Sequence, residues 1–258
     1  MKIVLLSGQG LQCDIVYGYL NRRFNITAVV IDDTYKKKQS RIGKVKKRIS
    51  KYGYIKVFLQ LCFTKVCVPI LKYESRNRRK KLLKKVTLRK PKHHGNLYRA
   101  KDINSEHTLS FVNKNNPDLI IVHGTSIINE NFLKNISCPI INFHIGITQK
   151  YRGIHGGYWS LHHGDTSNFG TTIHFVDTGI DTGKIIVQKR IKKSKKDNFC
   201  TYPILQTIKA LGCFDIAIKK IFSKKHKKYQ VVASSASRYY SQPTITQYLY
   251  KRLLFDVR

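Results

Sequence analysis

Residues 2–6 (KIVLL) form a short apolar run that breaks at Ser7-Gly8-Gln9-Gly10, and a stretch of helical character follows from about residue 12 to 22. A second apolar run, NITAVVI at 25–31, stops at Asp32-Asp33. Short runs bounded by turn residues read as buried strands, so the chain opens as β-α-β. The alternation returns further on. A helix at about 105–113 and an Asn116-Pro117 break lead into a strand at 118–122 (DLIIV), a helix at about 129–134, and strands at 139–143 and 171–176. This rhythm predicts an α/β fold with a doubly wound, mostly parallel sheet of Rossmann type, whose ligands sit at the carboxyl ends of the strands.

Between the second and third of these strands, residues 34–101 carry 24 Lys and Arg against one acid, Glu74. Within this stretch Ile42, Val45, Ile49, Tyr52, Ile55, Leu59, Cys62 and Val66 recur at three- and four-residue steps. The spacing predicts an amphipathic helix, or a pair broken at Gly53 and stopped by Pro69, inserted outside the sheet. Three readings stay open: a helical hairpin docking that apolar face on the core, an interfacial helix on anionic lipid, or a nucleic-acid footprint. After residue 196 only about 60 residues follow, with a helix near 205–222 and a Tyr-rich tail. The expected organisation is therefore a catalytic domain at 1–196, carrying the insertion, and a helical extension at 197–258.

Charge sharpens the picture of partners. Over 258 residues, 49 Lys and Arg outweigh 14 Asp and Glu for a net +35, which calls for anionic company: phosphorylated small molecules, nucleic acid or an anionic membrane surface. The 41% hydrophobic content excludes a wholly disordered chain. Cys13, Cys62, Cys67, Cys138, Cys200 and Cys213 form no CxxC pair and fall mostly in apolar segments, so they read as free thiols in a reducing compartment, consistent with the cytoplasm. The first residues are too short an apolar run for a signal peptide, and no 18 uninterrupted apolar residues occur, so no membrane span is expected.

Candidate chemistry begins at the first turn. Ser7, Gly8, Gln9 and Gly10 precede a helix and offer backbone N–H groups to a phosphate, although the missing third glycine makes a dinucleotide fingerprint with Asp32 weak. The richest segment runs from 141 to 186. Asn142 and His144 stand two apart at a strand end and so share a face, and Asp181 follows in a Gly-rich loop. Asn hydrogen-bonds an oxyanion, His moves a proton near neutral pH, and a carboxylate orients the imidazole. His174 alternates with apolar neighbours in TTIHFVD and is a secondary candidate. His155, His162 and His163 share a helical face but have no Cys or carboxylate beside them, so no metal site is expected.

The N-x-H pair, the KYRG that follows it and the GTTIHFVDTGIDTG stretch together resemble the folate-dependent formyltransferases. That family includes glycinamide ribonucleotide transformylase, methionyl-tRNA formyltransferase and the sugar-nucleotide N-formyltransferases. The likeness covers the first strand and about residues 104–188 and leaves out the basic insertion. It implies Asn142, His144 and Asp181 as the catalytic set and 10-formyltetrahydrofolate as formyl donor. It also implies a pterin slot along Gly124, Thr125, Ser126, Ile127 and Ile128 and along Val176, Asp177 and Ile180. For a phosphorylated amine acceptor it adds Arg152 and Gly153 to the first turn. Thr148-Gln149 stand where the family has Leu-Pro, and Gly146 replaces a Ser, which bears on acceptor geometry. The HGGYW run resembles the branch that modifies amino sugars. A nucleotide-linked amino sugar is thus the expected acceptor. A tRNA, hydrolysis of the folate, and a noncatalytic basic protein on the same scaffold are the alternatives; tRNA is disfavoured because the chain ends without the family's tRNA-gripping domain. A homodimer is left open.

Overall fold

The computed structural model describes residues 1–34, 41–90, 96–148, 150–223 and 237–258; residues 35–40 and 91–95 of the expected insertion, and Gln149, lie outside the described residues. The opening follows the apolar pattern: β1 (Ile3–Ser7), α1 (Leu11–Arg23) and β2 (Ile26–Asp32), with β1 buried throughout. Four helical segments come next: α2 (Arg41–Tyr52), α3 (Tyr54–Cys62), a π turn at Phe63–Cys67 leading into α4 (Val68–Glu74), and α5 (Arg76–Leu83). The alternation then resumes with β3 (Leu97–Ala100), α6 (Glu106–Lys114), β4 (Leu119–His123), α7 (Glu130–Lys134) and β5 (Ile140–His144). Ser105 and Asn129 start α6 and α7 by accepting hydrogen bonds from the backbone N–H three residues on. β6 (Tyr151–Gly153), α8 (Gly156–His162), β7 (Gly170–Phe175), β8 (Ile185–Arg190), α9 (Tyr202–Ala210), α10 (Cys213–Phe222), β9 (Arg238–Tyr240) and α11 (Ile245–Phe255) complete the described elements.

Seven strands form one sheet in the order β3-β2-β1-β4-β5-β7-β8, and β6 and β9 pair separately. The five strands from β3 to β5 are parallel, whereas β7 runs antiparallel to β5 and β8 antiparallel to β7. The α/β, mostly parallel expectation holds, and the sheet changes direction at β5. Apolar side chains pack on both faces: α1, α9 and α10 cover one, α6 and α7 the other.

The structure corrects four local expectations. β3 lies inside the stretch expected to be a helical excursion and pairs with β2 from Val29 to Asp32. An edge strand of four residues needs only one bonded side, so its polar sequence LYRA gives no buried-strand signal. The helix expected near 205–222 is two, α9 and α10, divided at Leu211-Gly212. Pro69 does not stop its helix. The π turn just before it already disturbs the regular hydrogen-bond ladder, so the missing proline N–H costs little there. Finally, the face expected to dock on the core does so only in part, with Val45, Ile49, Tyr52, Leu59 and Cys62 half-buried. Ile55 and Val66 are 77% and 53% exposed, while Val57, Phe63, Cys67 and Leu71 are buried. The helix Tyr54–Glu74 is also long and apolar enough to cross a membrane, because Lys56, Lys65 and Lys72 interrupt its apolar run without making it polar.

Candidate active site

The carboxyl ends of β4 and β5, with the loops after β6 and β7, enclose a cavity of about 480 Å³. Asn142 and His144 reach it from β5, at the strand where the sheet reverses direction. The antiparallel register sets His174 of β7 directly opposite Asn142. Asp181 comes from the loop between β7 and β8 and stands in the left-handed region (φ 54°). The Gly153 backbone N–H donates to its Oδ2 at 3.0 Å, tying that loop to β6.

Four side chains meet at this point. The Asn142 amide nitrogen lies 3.3 Å from Asp181 Oδ1 and 3.2 Å from His174 Nε2. His174 Nδ1 faces the Phe175 carbonyl oxygen at 2.7 Å, and its Nε2 lies between the Asn142 amide nitrogen and Asp181 Oδ1, 3.6 Å from the latter. Both ring nitrogens of His144 face acceptors: Nδ1 is 3.3 Å from Asp181 Oδ1, and Nε2 is 3.2 Å from the Tyr151 carbonyl oxygen. Burial pulls the His144 pKa down, but the charge and hydrogen bond of Asp181, with the Tyr151 carbonyl, outweigh it and hold the imidazole above its ordinary value. Burial likewise pushes Asp181 up, and His144, His174 and the Gly153 N–H overcome that and hold the carboxyl well below the usual range. The arrangement is therefore a carboxylate that favours the charged form of a paired histidine, beside an amide donor, at the wall of a largely apolar cavity. Gly146 adjoins it for want of space: a Cβ there would lie 2.6 Å from His144 Nε2 and 2.9 Å from the Tyr151 carbonyl oxygen.

Of the other residues expected at the site, Gly124, Thr125, Ser126, Ile127, Ile128, Gly153, Val176, Asp177 and Ile180 all line the cavity. Asp32 holds the first of these loops, accepting from the Ser126 backbone N–H at 2.6 Å and from that of Thr34 at 2.8 Å; it is a structural cap. Arg152 stands just outside, its Nη1 3.5 Å from the Ile180 carbonyl oxygen. Ser7, Gly8, Gln9 and Gly10 are not in the wall, and Gln12 takes that place. Gly8 serves close packing instead, since a Cβ would come 1.9 Å from the Gly124 carbonyl oxygen, and its N–H is donated to His123. His123 is buried and neutral: burial pushes its pKa down to about 4, and its Nδ1 bonds the Phe143 carbonyl oxygen at 2.9 Å. His155 is buried too, held down near 4, with Nε2 2.7 Å from Gln242 Oε1. Among the described residues no cluster of His, Cys, Asp and Glu fits a metal ion.

Sequence reasoning missed Phe199 just before α9, Tyr202 and Gln206 on α9, and Tyr239 from β9, all in the cavity wall. They lie in segments without a motif, and only the packing of the last 60 or so residues against the sheet brings them in.

Residues 1–202 match the family described as formyl transferase. A methionyl-tRNA formyltransferase of Finegoldia magna is 36% identical over 93 residues, covering 36% of this chain and 30% of that protein. A GDP-perosamine N-formyltransferase of Brucella melitensis is 35% identical over 95 residues, 36% of each chain. The matched stretch thus spans about a third of these curated relatives. Among solved structures, a phosphoribosylglycinamide formyltransferase from Streptococcus pneumoniae superposes with a TM-score of 0.53 at 18% identity, over 86% of this chain and all of that one. A sugar N-formyltransferase from Shewanella gives 0.52 at 14% identity, over 93% and 76%. At such identities these superpositions speak for the fold alone.

Proposed function

The chain belongs to the formyl transferase family, and we propose that it moves a formyl group from 10-formyltetrahydrofolate to a primary amine on a nucleotide-linked amino sugar, with Asn142, His144 and Asp181 as the reacting set. The observation that carries this reading is the meeting of these three side chains in one cavity at the end of β5. The pterin of the donor would lie against the loops at 124–128 and 176–180. The amine attacks the formyl carbon, a C–N bond forms, and the carbonyl oxygen takes up negative charge. Asn142 donates to that oxyanion; its two present hydrogen bonds are long, so a charged oxygen competes well for one of them. The bond to the folate nitrogen then breaks, and one proton passes in net from the attacking to the departing nitrogen. His144, held charged by Asp181, relays it.

Two cations favour a diphosphate on the acceptor. Arg152 stands beside the Asp181 loop, and Lys51 Nζ lies 5.4 Å from the ring of Tyr239, which lines the cavity. The name of the Brucella relative supports an amino sugar. A tRNA acceptor is the second reading, favoured by the 18 Lys and Arg against one acid between residues 41 and 90 and by the name of the Finegoldia relative. Catalysis is expected in the cytoplasm, by a unit spanning residues 1–196 with its helical extension. The deciding experiment incubates the protein with 10-formyltetrahydrofolate and a panel of nucleotide-linked 4-amino sugars. The expected result is a gain of one formyl mass on one of them; formylation of initiator tRNA alone would replace the sugar reading.

A further inference from the structure

The helix Tyr54–Glu74 has two apolar faces, and the core uses one. Val57, Phe63, Cys67 and Leu71 are buried, and Phe63 packs edge-on against Phe199 at 4.9 Å and against Tyr248 of α11 at 5.0 Å. On the opposite side Tyr54, Ile55, Phe58, Val66, Ile70 and Tyr73 lie in the open, Phe58 at 65% exposure. Ile55 and Phe58, and then Val66, Ile70 and Tyr73, stand three or four residues apart, and Phe58 and Val66 are separated by eight, close to two turns, so they form one stripe along a rod of 21 residues, about 30 Å long. Only 28% of its most apolar window is buried. α11 runs beside it, joined by Arg252 to Glu74 at 2.8 Å, and its end leaves Leu253, Leu254 and Phe255 exposed as well. A monomeric soluble protein rarely leaves so continuous an apolar surface uncovered.

Charge identifies what covers it. The surrounding stretch, residues 41–90, holds 18 cations and one acid, and that acid, Glu74, is already paired with Arg252. Lys56, Lys65 and Lys72 on the helix are exposed, and Arg76 sits 4.1 Å over the ring of Tyr73. A second copy of this chain would bring another such concentration of positive charge against the first, which opposes self-association. Phosphate-bearing lipid heads instead neutralise the cations while the aromatic and aliphatic side chains enter the headgroup boundary, where tyrosine and snorkelling lysine are at home. Crossing the bilayer would require the helix to leave the core. Its inner face is bound there by Phe63, by Gln60 donating to the Gln242 carbonyl oxygen at 2.5 Å, and by Asn198 donating to the Leu71 carbonyl oxygen at 2.9 Å.

We propose that the outward face of Tyr54–Glu74, with the adjoining end of α11, docks this protein on an anionic bilayer surface, the helix lying in the plane of the membrane. The inference is independent of the acceptor. Through Phe63 and Phe199 the docked helix backs directly onto the wall of the catalytic cavity.

The test is flotation of the full chain with vesicles of phosphatidylcholine alone and with about a third phosphatidylglycerol. Binding is expected only to the anionic vesicles. A variant carrying Ile55→Ser, Phe58→Ser and Ile70→Ser, with every charge retained, is expected to bind them at least tenfold more weakly while keeping its rate of formyl transfer in solution. Equal binding by that variant would reduce the effect to bare charge adsorption and overturn the proposal. So would a concentration-dependent dimer that the same substitutions abolish. Phe58→Trp supplies a reading that does not depend on the triple variant folding. Its emission, taken as the difference from the parent chain that carries Trp159 alone, should shift to the blue on anionic vesicles and be quenched by brominated lipid, and an unshifted difference spectrum with bound vesicles would again overturn the docking.

Discussion

Asp181 is the residue on which the proposed chemistry turns, because it takes one contact from each of the groups around it: Asn142, His144, His174 and the Gly153 N–H. Its left-handed backbone, which Asp tolerates better than most residues, aims both carboxylate oxygens inward. Asn142→Ala, His144→Ala and Asp181→Ala should each lower turnover by a factor of about a hundred or more, since one lost oxyanion donor or proton carrier costs roughly 3 kcal/mol of barrier. Steady-state rates with the accepted substrate check this, and circular dichroism checks that the fold persists. Asp181→Asn separates charge from shape. Burial is the largest single influence on His144, and without the carboxylate only the Tyr151 carbonyl opposes it, so its pKa should fall below the ordinary value of about 6.5. The signal of its ring proton by NMR should then titrate at lower pH, and any limb of the pH–rate profile that follows this group should move the same way. The pair also bears on stability. A raised histidine pKa contributes below the unfolded value and is lost as pH rises through the folded one, and Asp181→Asn should remove that dependence.

The basic helices show why an element can be located from its periodicity and still be oriented only in part. Apolar residues lie on two sides of Tyr54–Glu74, so spacing alone cannot say which side meets the core. Phe63 and Leu71 win because Phe199, Tyr248 and the α9 approach fill the space beneath them. One buried ion pair anchors the end of this region: Arg78 on α5 meets Asp197 at 2.7 Å, and the carboxylate is fully buried. Burial pushes Asp197 up, but the guanidinium and the Ser194 N–H outweigh that and hold it below the usual carboxylate range. Its contribution is therefore present at neutral pH and lost as pH falls through the folded pKa. Arg78→Ala leaves the buried carboxylate without its cation and should cost about 3–5 kcal/mol of stability at pH 7. Urea unfolding at pH 7 and then at about pH 3 tests both the size and the sign, because the deficit should shrink as the carboxylate protonates.

For the molecule as a whole, charge and fold make separate contributions. If the acceptor is a nucleotide sugar, few phosphate charges are neutralised and its affinity should weaken only modestly between about 50 and 200 mM salt. A tRNA held through six or more phosphates should lose roughly a thousandfold over the same range. The shallow dependence is expected, with turnover largely kept when Lys80, Lys81, Lys84 and Lys85 are all changed to Gln, since none of them lines the catalytic cavity. A steep slope measured by calorimetry would move the acceptor to nucleic acid.

The alternating strands and helices, the N-x-H pair and the distant acid were legible in the chain, because strand burial and strand-end chemistry leave local patterns of residue type. The partners of that acid were only partly so. His174 meets Asn142 because β7 turns antiparallel to β5, and no spacing encodes the direction of a strand. Phe199, Tyr202 and Tyr239 reach the cavity only through packing across long stretches of chain, β3 joins the sheet by backbone bonds alone, and Gly8 of the first turn packs closely on Gly124. Local pattern records what a segment can bury; which face it buries, and against what, is settled by the competition of all segments for one core.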